Sequence, residues 1–273
     1  MGITLNDFHA DSRTLLLGID ALRKIDTFAL QHNDGTHTGN SYLDSANDLH
    51  GFIRSNISSL LMWPPSIILY ICGRFEYYVR SAIESTADEM TSNVTKYSEL
   101  PPEMRSNYYK LMMEVISSPK KYGRPESIVN TSLKGISDNL NSDIPQIDST
   151  CLSITTNNMR PDVLNELFKR LAYQDFWQNV GAHTECNARY LTVNPKASMD
   201  EAKSELNSIM DIRNAIAHPA STISYPDIAT ARKTIEYFCM LSNIVDDCCK
   251  RVIIKHRSTL IPTTAPAIAA ATT

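Results

Sequence analysis

Glycine is scarce in this chain, 9 in 273 residues, and no segment reads G-x-G-x-x-G or G-x-x-x-x-G-K-[ST]. The two common glycine-rich phosphate cradles are therefore missing, which sets most nucleotide-cofactor enzymes aside; no cofactor and no metal are expected. Positive charge is not in excess either, because 26 Lys and Arg against 30 Asp and Glu leave a formal net charge of -4. A protein that coats nucleic acid through bulk charge is excluded, so any phosphate-binding region has to be local. The six cysteines, at 72, 151, 186, 239, 248 and 249, form no C-x-x-C pair and no regular framework. That pattern fits buried free thiols in a reducing compartment better than a stapled secreted scaffold. No apolar run approaches the roughly 20 residues of a membrane span. The most apolar stretch, Leu60 to Cys72, is broken by Pro64-Pro65 and followed by Arg74 and Glu76, and is expected to be a core helix. Asp7 and Asp11 ahead of the short run Leu15 to Ile19 make a poor signal peptide, so a cytoplasmic protein with no membrane partner is expected.

What is present is helical periodicity. Leu15, Ile19, Leu22 and Ile25 step by three or four and predict a helix from Leu5 to about Gln31, ended by His32-Asn33-Asp34-Gly35. A second helix is predicted over Leu43 to Leu61. After Pro64-Pro65, the series Ile68, Ile71, Cys72, Phe75, Val79, Ala82 and Ile83 predicts the strongest helix of the chain. From about Thr91 to Met159 turn formers accumulate, with a short helix expected over Glu103 to Ile116, so this region reads as an insertion. Helical pattern returns behind Pro161-Asp162, and Gly181 to Pro195 reads as loop, with Arg189 to Val193 as the only alternating, strand-like run. Ser198-Met199-Asp200-Glu201 matches a capping box ahead of a helix running towards Arg213. A last long helix follows Ser224-Tyr225-Pro226-Asp227 and should reach about His256. The expected fold is all-α, a single domain over 1–257 with the insertion at 91–159 and a disordered tail at 258–273.

The candidate chemistry lies between the last two helices, in Asp211-Ile212-Arg213-Asn214-Ala215-Ile216-Ala217-His218-Pro219. On an unbroken helix, residues five apart sit roughly 140° round the axis, so Arg213 and His218 share a face only if the helix stops between them. Pro219 offers a reason for stopping, because it biases the preceding residue away from the α region. Histidine moves protons near neutral pH, arginine presents a planar fork to phosphate, and asparagine can orient either. Such a group suits phosphodiester cleavage in RNA, where the 2′-hydroxyl supplies the nucleophile and no metal ion is needed. One Arg-His pair is sparse, and a two-fold homodimer would supply two.

These residues carry a resemblance. Arg213-Asn214, three residues and His218 match the R-x4-6-H motif of the HEPN superfamily, and Cys72-Gly73-Arg74-Phe75-Glu76-Tyr77-Tyr78-Val79 is similar to the aromatic-Glu-x-aromatic helix of its RiboL-PSP-type branch. The resemblance implies an antiparallel α-helical bundle, a homodimer, and metal-independent endoribonuclease activity that leaves a 2′,3′-cyclic phosphate. It also implies a setting in toxin or antiviral defence, with an antitoxin or defence-system partner protein. Arg213 and His218 would then be catalytic, Asn214 would orient them, and Glu76 would hold the Arg213 fork by pairing with it. The alternative is a non-catalytic HEPN module that binds a nucleotide or a protein as an adaptor or antitoxin. Lys250, Arg251 and Lys255 near the end of the last helix are the candidate RNA-steering patch, with Lys120, Lys121 and Arg124 a second one. His183-Thr184-Glu185-Cys186 resembles half of a zinc-deaminase motif, but no P-C-x-x-C follows it.

Overall fold

A computed structural model describes residues 2–31, 41–56, 61–218 and 225–260. Among these there is no strand, and the fold is all-α. The helices are α1 (Leu5–Gln31), α2 (Ser41–Ser55), α3 (Trp63–Ser92), α4 (Pro102–Ser117), α5 (Ile128–Asn141), α6 (Ser149–Leu152) and α7 (Pro161–Arg170). They continue with α8 (Phe176–Ala182), α9 (Thr184–Arg189), α10 (Pro195–Ala217) and α11 (Ile228–Leu260).

The residues cluster into two compact units, one of 1–82, 155–165 and 175–246, the other of 83–154, 166–174 and 247–273. The core of the first is aromatic. Phe75 of α3 stacks on Phe238 of α11 with ring centroids 4.4 Å apart, and Phe8 of α1 lies against both Phe75 and Tyr78. The Tyr78 hydroxyl, taken out of water with its ring, donates to the Ser242 carbonyl at 3.1 Å, which removes the penalty of burying it unpaired. In the same unit Gly181 permits α8 to approach the start of α10. A Cβ there would sit 2.1 Å from the Pro195 carbonyl oxygen. In the second unit the buried Arg170 of α7 donates to the carbonyls of Leu152 and Ile154 at 3.0 and 2.6 Å and pairs with Glu166. Those bonds close the end of α6, whose terminal carbonyls have no partner within so short a helix.

α1 has the predicted extent, and its start is fixed by Thr4 and Asp7. Each side chain accepts the other's backbone N–H, at 3.2 and 2.8 Å. α3 begins at Trp63, so Pro64 and Pro65 occupy a first turn in which their missing N–H groups cost nothing. α4 spans the short helix expected in the middle region.

Four expectations are corrected. α2 ends at Ser55, short of Leu61; residues 57–60 lie outside the described residues. α9 forms inside the segment read as loop, too short at six residues to show a helical period. The strand-like run Arg189 to Val193 is the end of α9 and a turn; Leu191 has φ 50° and is 93% exposed, so nothing rewards its apolar character. α10 starts at Pro195 and not at the Ser198 capping box. Asn194 caps it by accepting from Lys196 and Ala197, while Ser198 is buried within the helix and donates to Asn187 at 2.6 Å. α11 is capped by Asp227, which accepts from the Thr230 N–H at 2.7 Å, and it runs on past His256 to Leu260. Ser224, Pro219, the segment 32–40 and the tail 261–273 fall outside the described residues.

Candidate functional site

Leu69, Cys72, Gly73 and Glu76 fall at i, i+3, i+4 and i+7 on one face of α3, and Met210, Arg213 and Ala217 step by three and four along α10. The two stripes, with Asn158 and Met159 between them, enclose a cavity of about 310 Å³ within the first unit. Glu76 and Arg213, 137 positions apart in sequence, therefore meet at one site. Both are half-buried.

The Arg213 guanidinium donates from Nη1 to Oδ1 of Asn214 at 3.2 Å. Asn214 Oδ1 also accepts from Asn158 Nδ2 at 2.6 Å, so the amide next in sequence holds the fork in place while fixed from the other side. Glu76 does not pair with Arg213: among the described residues no ion pair within 4 Å joins them, and Glu76 Oε1 accepts instead from the Thr155 hydroxyl at 3.3 Å. Each charged group has a neutral partner instead, an amide for Arg213 and a hydroxyl for Glu76, and the two line one cavity without pairing. Both still act on the Cys72 thiol beside them. Burial pushes its pKa up to about 12, Arg213 opposes the shift and Glu76 adds to it. Cys72 is thus a protonated wall residue and no nucleophile.

His218 is placed differently from the expectation. α10 runs unbroken through Ala217, and the His218 N–H still donates to the Asn214 carbonyl at 2.9 Å. Only at His218 does the backbone leave the helix, with φ -127° and ψ 71°. A following proline restricts the one residue before it, so residues 213–217 are free to stay helical and the turn comes too late to bring the two side chains together. His218 is exposed at the helix end and does not line the Arg213 cavity.

Residues of the weakly periodic middle region complete the site. Asn158 and Thr155 contact Asn214 and Glu76, and Arg160 anchors their segment to α10 through Asp211 at 2.6 Å and Asn207 at 3.3 Å. No motif marks them; the one available signal is a polar cluster just ahead of the Pro161 that opens α7.

Lys250, Arg251 and Lys255 are exposed on α11 within the second unit, with Lys250 3.6 Å from Asp247. In the other basic patch Lys120 pairs with Glu126 and Arg124 with Asp148, which leaves that patch much of its charge compensated. His183 caps α9 by accepting from the Glu185 N–H, Glu185 accepts from Asn243, and Cys186 is buried. Among the described residues no group of three or more His, Cys, Asp or Glu is placed to hold a metal ion, and no helix is long and apolar enough to cross a membrane.

Residues 40–251 match the model of the family described as RiboL-PSP-HEPN, a continuous interval that includes the middle region and more than half of the chain. The chain belongs to the RiboL-PSP-HEPN family. No curated protein and no solved structure matches it. The HEPN interval holds Glu76, Arg213, Asn214, His218, Lys250 and Arg251, while Lys255 lies beyond its end. HEPN membership points to a ribonuclease or a nucleotide-binding module.

Proposed function

We propose that this HEPN protein is a metal-independent endoribonuclease acting in a toxin or antiviral defence setting. The observation that carries the proposal is the state of Arg213: half-buried at the wall of a cavity, held by an amide and not by a carboxylate, its positive charge remains available to an anion. A guanidinium tied to Asp or Glu would have that charge largely spent within the protein. In the reaction the 2′-hydroxyl attacks the adjacent phosphorus, His218 takes or delivers the proton, and Arg213 stabilises the charge gathering on the phosphorane oxygens. The products are a 2′,3′-cyclic phosphate and a free 5′-hydroxyl. A two-fold homodimer answers the separation of the two side chains, since His218 of a second copy can serve the phosphate held by Arg213 of the first.

The test is incubation of the purified protein with total RNA in EDTA beside Arg213→Ala and His218→Ala. Cleavage by the parent alone supports the proposal, and cleavage that survives in both variants or requires added metal refutes it. A second reading, a non-catalytic module that binds a nucleotide or protein as an adaptor or antitoxin, draws on the position of His218 outside the cavity. A folded parent that cuts no RNA favours that reading.

A further inference from the structure

Opposite charges that line one cavity ordinarily pair, and Glu76 and Arg213 do not. The cavity they share is small, about 310 Å³, and much of its remaining wall is apolar, with Leu69, Cys72, Met159, Met210 and Ala217. Both charges act on the Cys72 thiol, so both stand near one atom. Attraction across such a space is less screened than in water, and the separation of the two groups therefore needs a cause.

The cause lies in one short stretch, 155–160, ahead of α7. Among the described residues Glu76 has one hydrogen-bond partner, the Thr155 hydroxyl, which donates to Oε1 at 3.3 Å. Arg213 also has one, Oδ1 of Asn214 at 3.2 Å. Arginine only donates, so the Asn214 atom facing it is the oxygen, and Asn158 meets that oxygen at 2.6 Å with its NH2 group. Asn158 thus fixes which way the Asn214 amide points; without it the amide can turn its oxygen away from Arg213. The stretch does not rely on the two charges for its own place. Met159 is 1% exposed, and Arg160 pairs with Asp211 at 2.6 Å and donates to Asn207 at 3.3 Å. We propose that Thr155 and Asn158 are positioning residues that keep Glu76 from pairing with Arg213, and that without them the two close into an ion pair which withdraws the guanidinium from phosphate. The effect on rate rests on the ribonuclease reading above, whereas the structural claim stands by itself.

The experiment uses the full chain with Thr155→Val and Asn158→Ala, singly and together. A crystal structure of the double variant should show a Glu76 carboxylate oxygen within about 4 Å of the Arg213 guanidinium, the reach of an ion pair. In single-turnover RNA cleavage with EDTA, each single variant frees one member of the pair and should be slowed less than about tenfold, and the double variant at least about tenfold. Adding Glu76→Gln to the double variant removes the carboxylate and should raise its rate at least about threefold, a gain that a loss through disturbed packing would not give. Thr155→Ser in place of Thr155→Val keeps a hydroxyl and should recover part of the loss. If the double variant does not fold, Asn158→Ala with and without Glu76→Gln makes the same comparison. Glu76 and Arg213 still apart in the double variant, or no gain from Glu76→Gln, overturns the proposal. A parent that cuts no RNA refutes the ribonuclease reading alone, and the crystal structure then decides this proposal by itself.

Discussion

Replacing Asn214 by aspartate changes one atom's charge next to Arg213 and little else. The Oδ1 that now accepts from Arg213 at 3.2 Å and from Asn158 at 2.6 Å would become a carboxylate oxygen with the same two donors. A phosphate oxygen held about 4 Å from the guanidinium gains about 4 kcal/mol at an effective dielectric near 20. The new carboxylate, about 7 Å from that phosphate, returns about 2.4 kcal/mol, which corresponds to roughly 50-fold in rate. Stability should move the other way, because an ion pair replaces a bond in which only the donor is charged. The site is half-open to solvent, so the gain is held to about 1 kcal/mol or less and Tm rises by about 1–3 °C. Single-turnover cleavage of a fluorescent RNA, with calorimetry on the same preparation, reads both. Asn214→Ala removes the anchor but keeps the charge and should cost less than tenfold. Asn214→Asp within threefold of the parent rate would refute the claim that the site uses an Arg213 guanidinium bonded to no carboxylate.

Phe75→Ala removes a fully buried ring stacked on Phe238 and set edge-on to Phe8, and should cost about 3–5 kcal/mol, seen as a Tm lower by about 10 °C. A loss under about 1 kcal/mol would show that this aromatic cluster is not the core of the first unit. Burial raises the thiols of Cys72 and Cys151 to about 12 and those of Cys186 and Cys248 to about 11, from 9.0. The unfolded chain ionises first, so the folded state binds more protons and stability falls as pH rises from about 9 towards 11. The slope approaches about 1.4 kcal/mol per pH unit for each thiol, measured by melting in reducing buffer. A flat Tm between pH 8 and 10.5 would contradict the burial of these groups. For the same reason iodoacetamide at pH 8 should leave Cys72 unlabelled in the native protein, as read by peptide mass spectrometry.

The long elements were legible because their apolar stripes run over many turns. α1 and α3 declare themselves through Ile19, Ile68, Phe75 and Val79, each of which the fold buries. Short elements were not. α9 has six residues, fewer than two turns, and α10 begins three residues ahead of the sequence signal because Asn194-Pro195 is a cap followed by a proline at the first helical position. The motifs point to Arg213, Asn214 and Glu76, and Arg213 and Glu76 meet at one cavity, with Asn214 bonded to Arg213. Opposite charges suggest an ion pair, whereas Asn214, itself held by Asn158, and Thr155 supply neutral partners, the last two from a stretch without periodicity. His218 stays apart from the Arg213 cavity because a proline's restriction acts on a single residue, and that residue is the histidine itself.

The direct test of RNA cleavage through the 2′-hydroxyl uses a defined oligoribonucleotide with one deoxynucleotide placed 5′ to the cleaved phosphate, in EDTA, with the product ends read by mass spectrometry. The unmodified strand should yield a 2′,3′-cyclic phosphate and a 5′-hydroxyl, and the single deoxy substitution should abolish cleavage at that bond alone. Cleavage of the deoxy-substituted bond, or products ending in a 3′-hydroxyl and a 5′-phosphate, would contradict it.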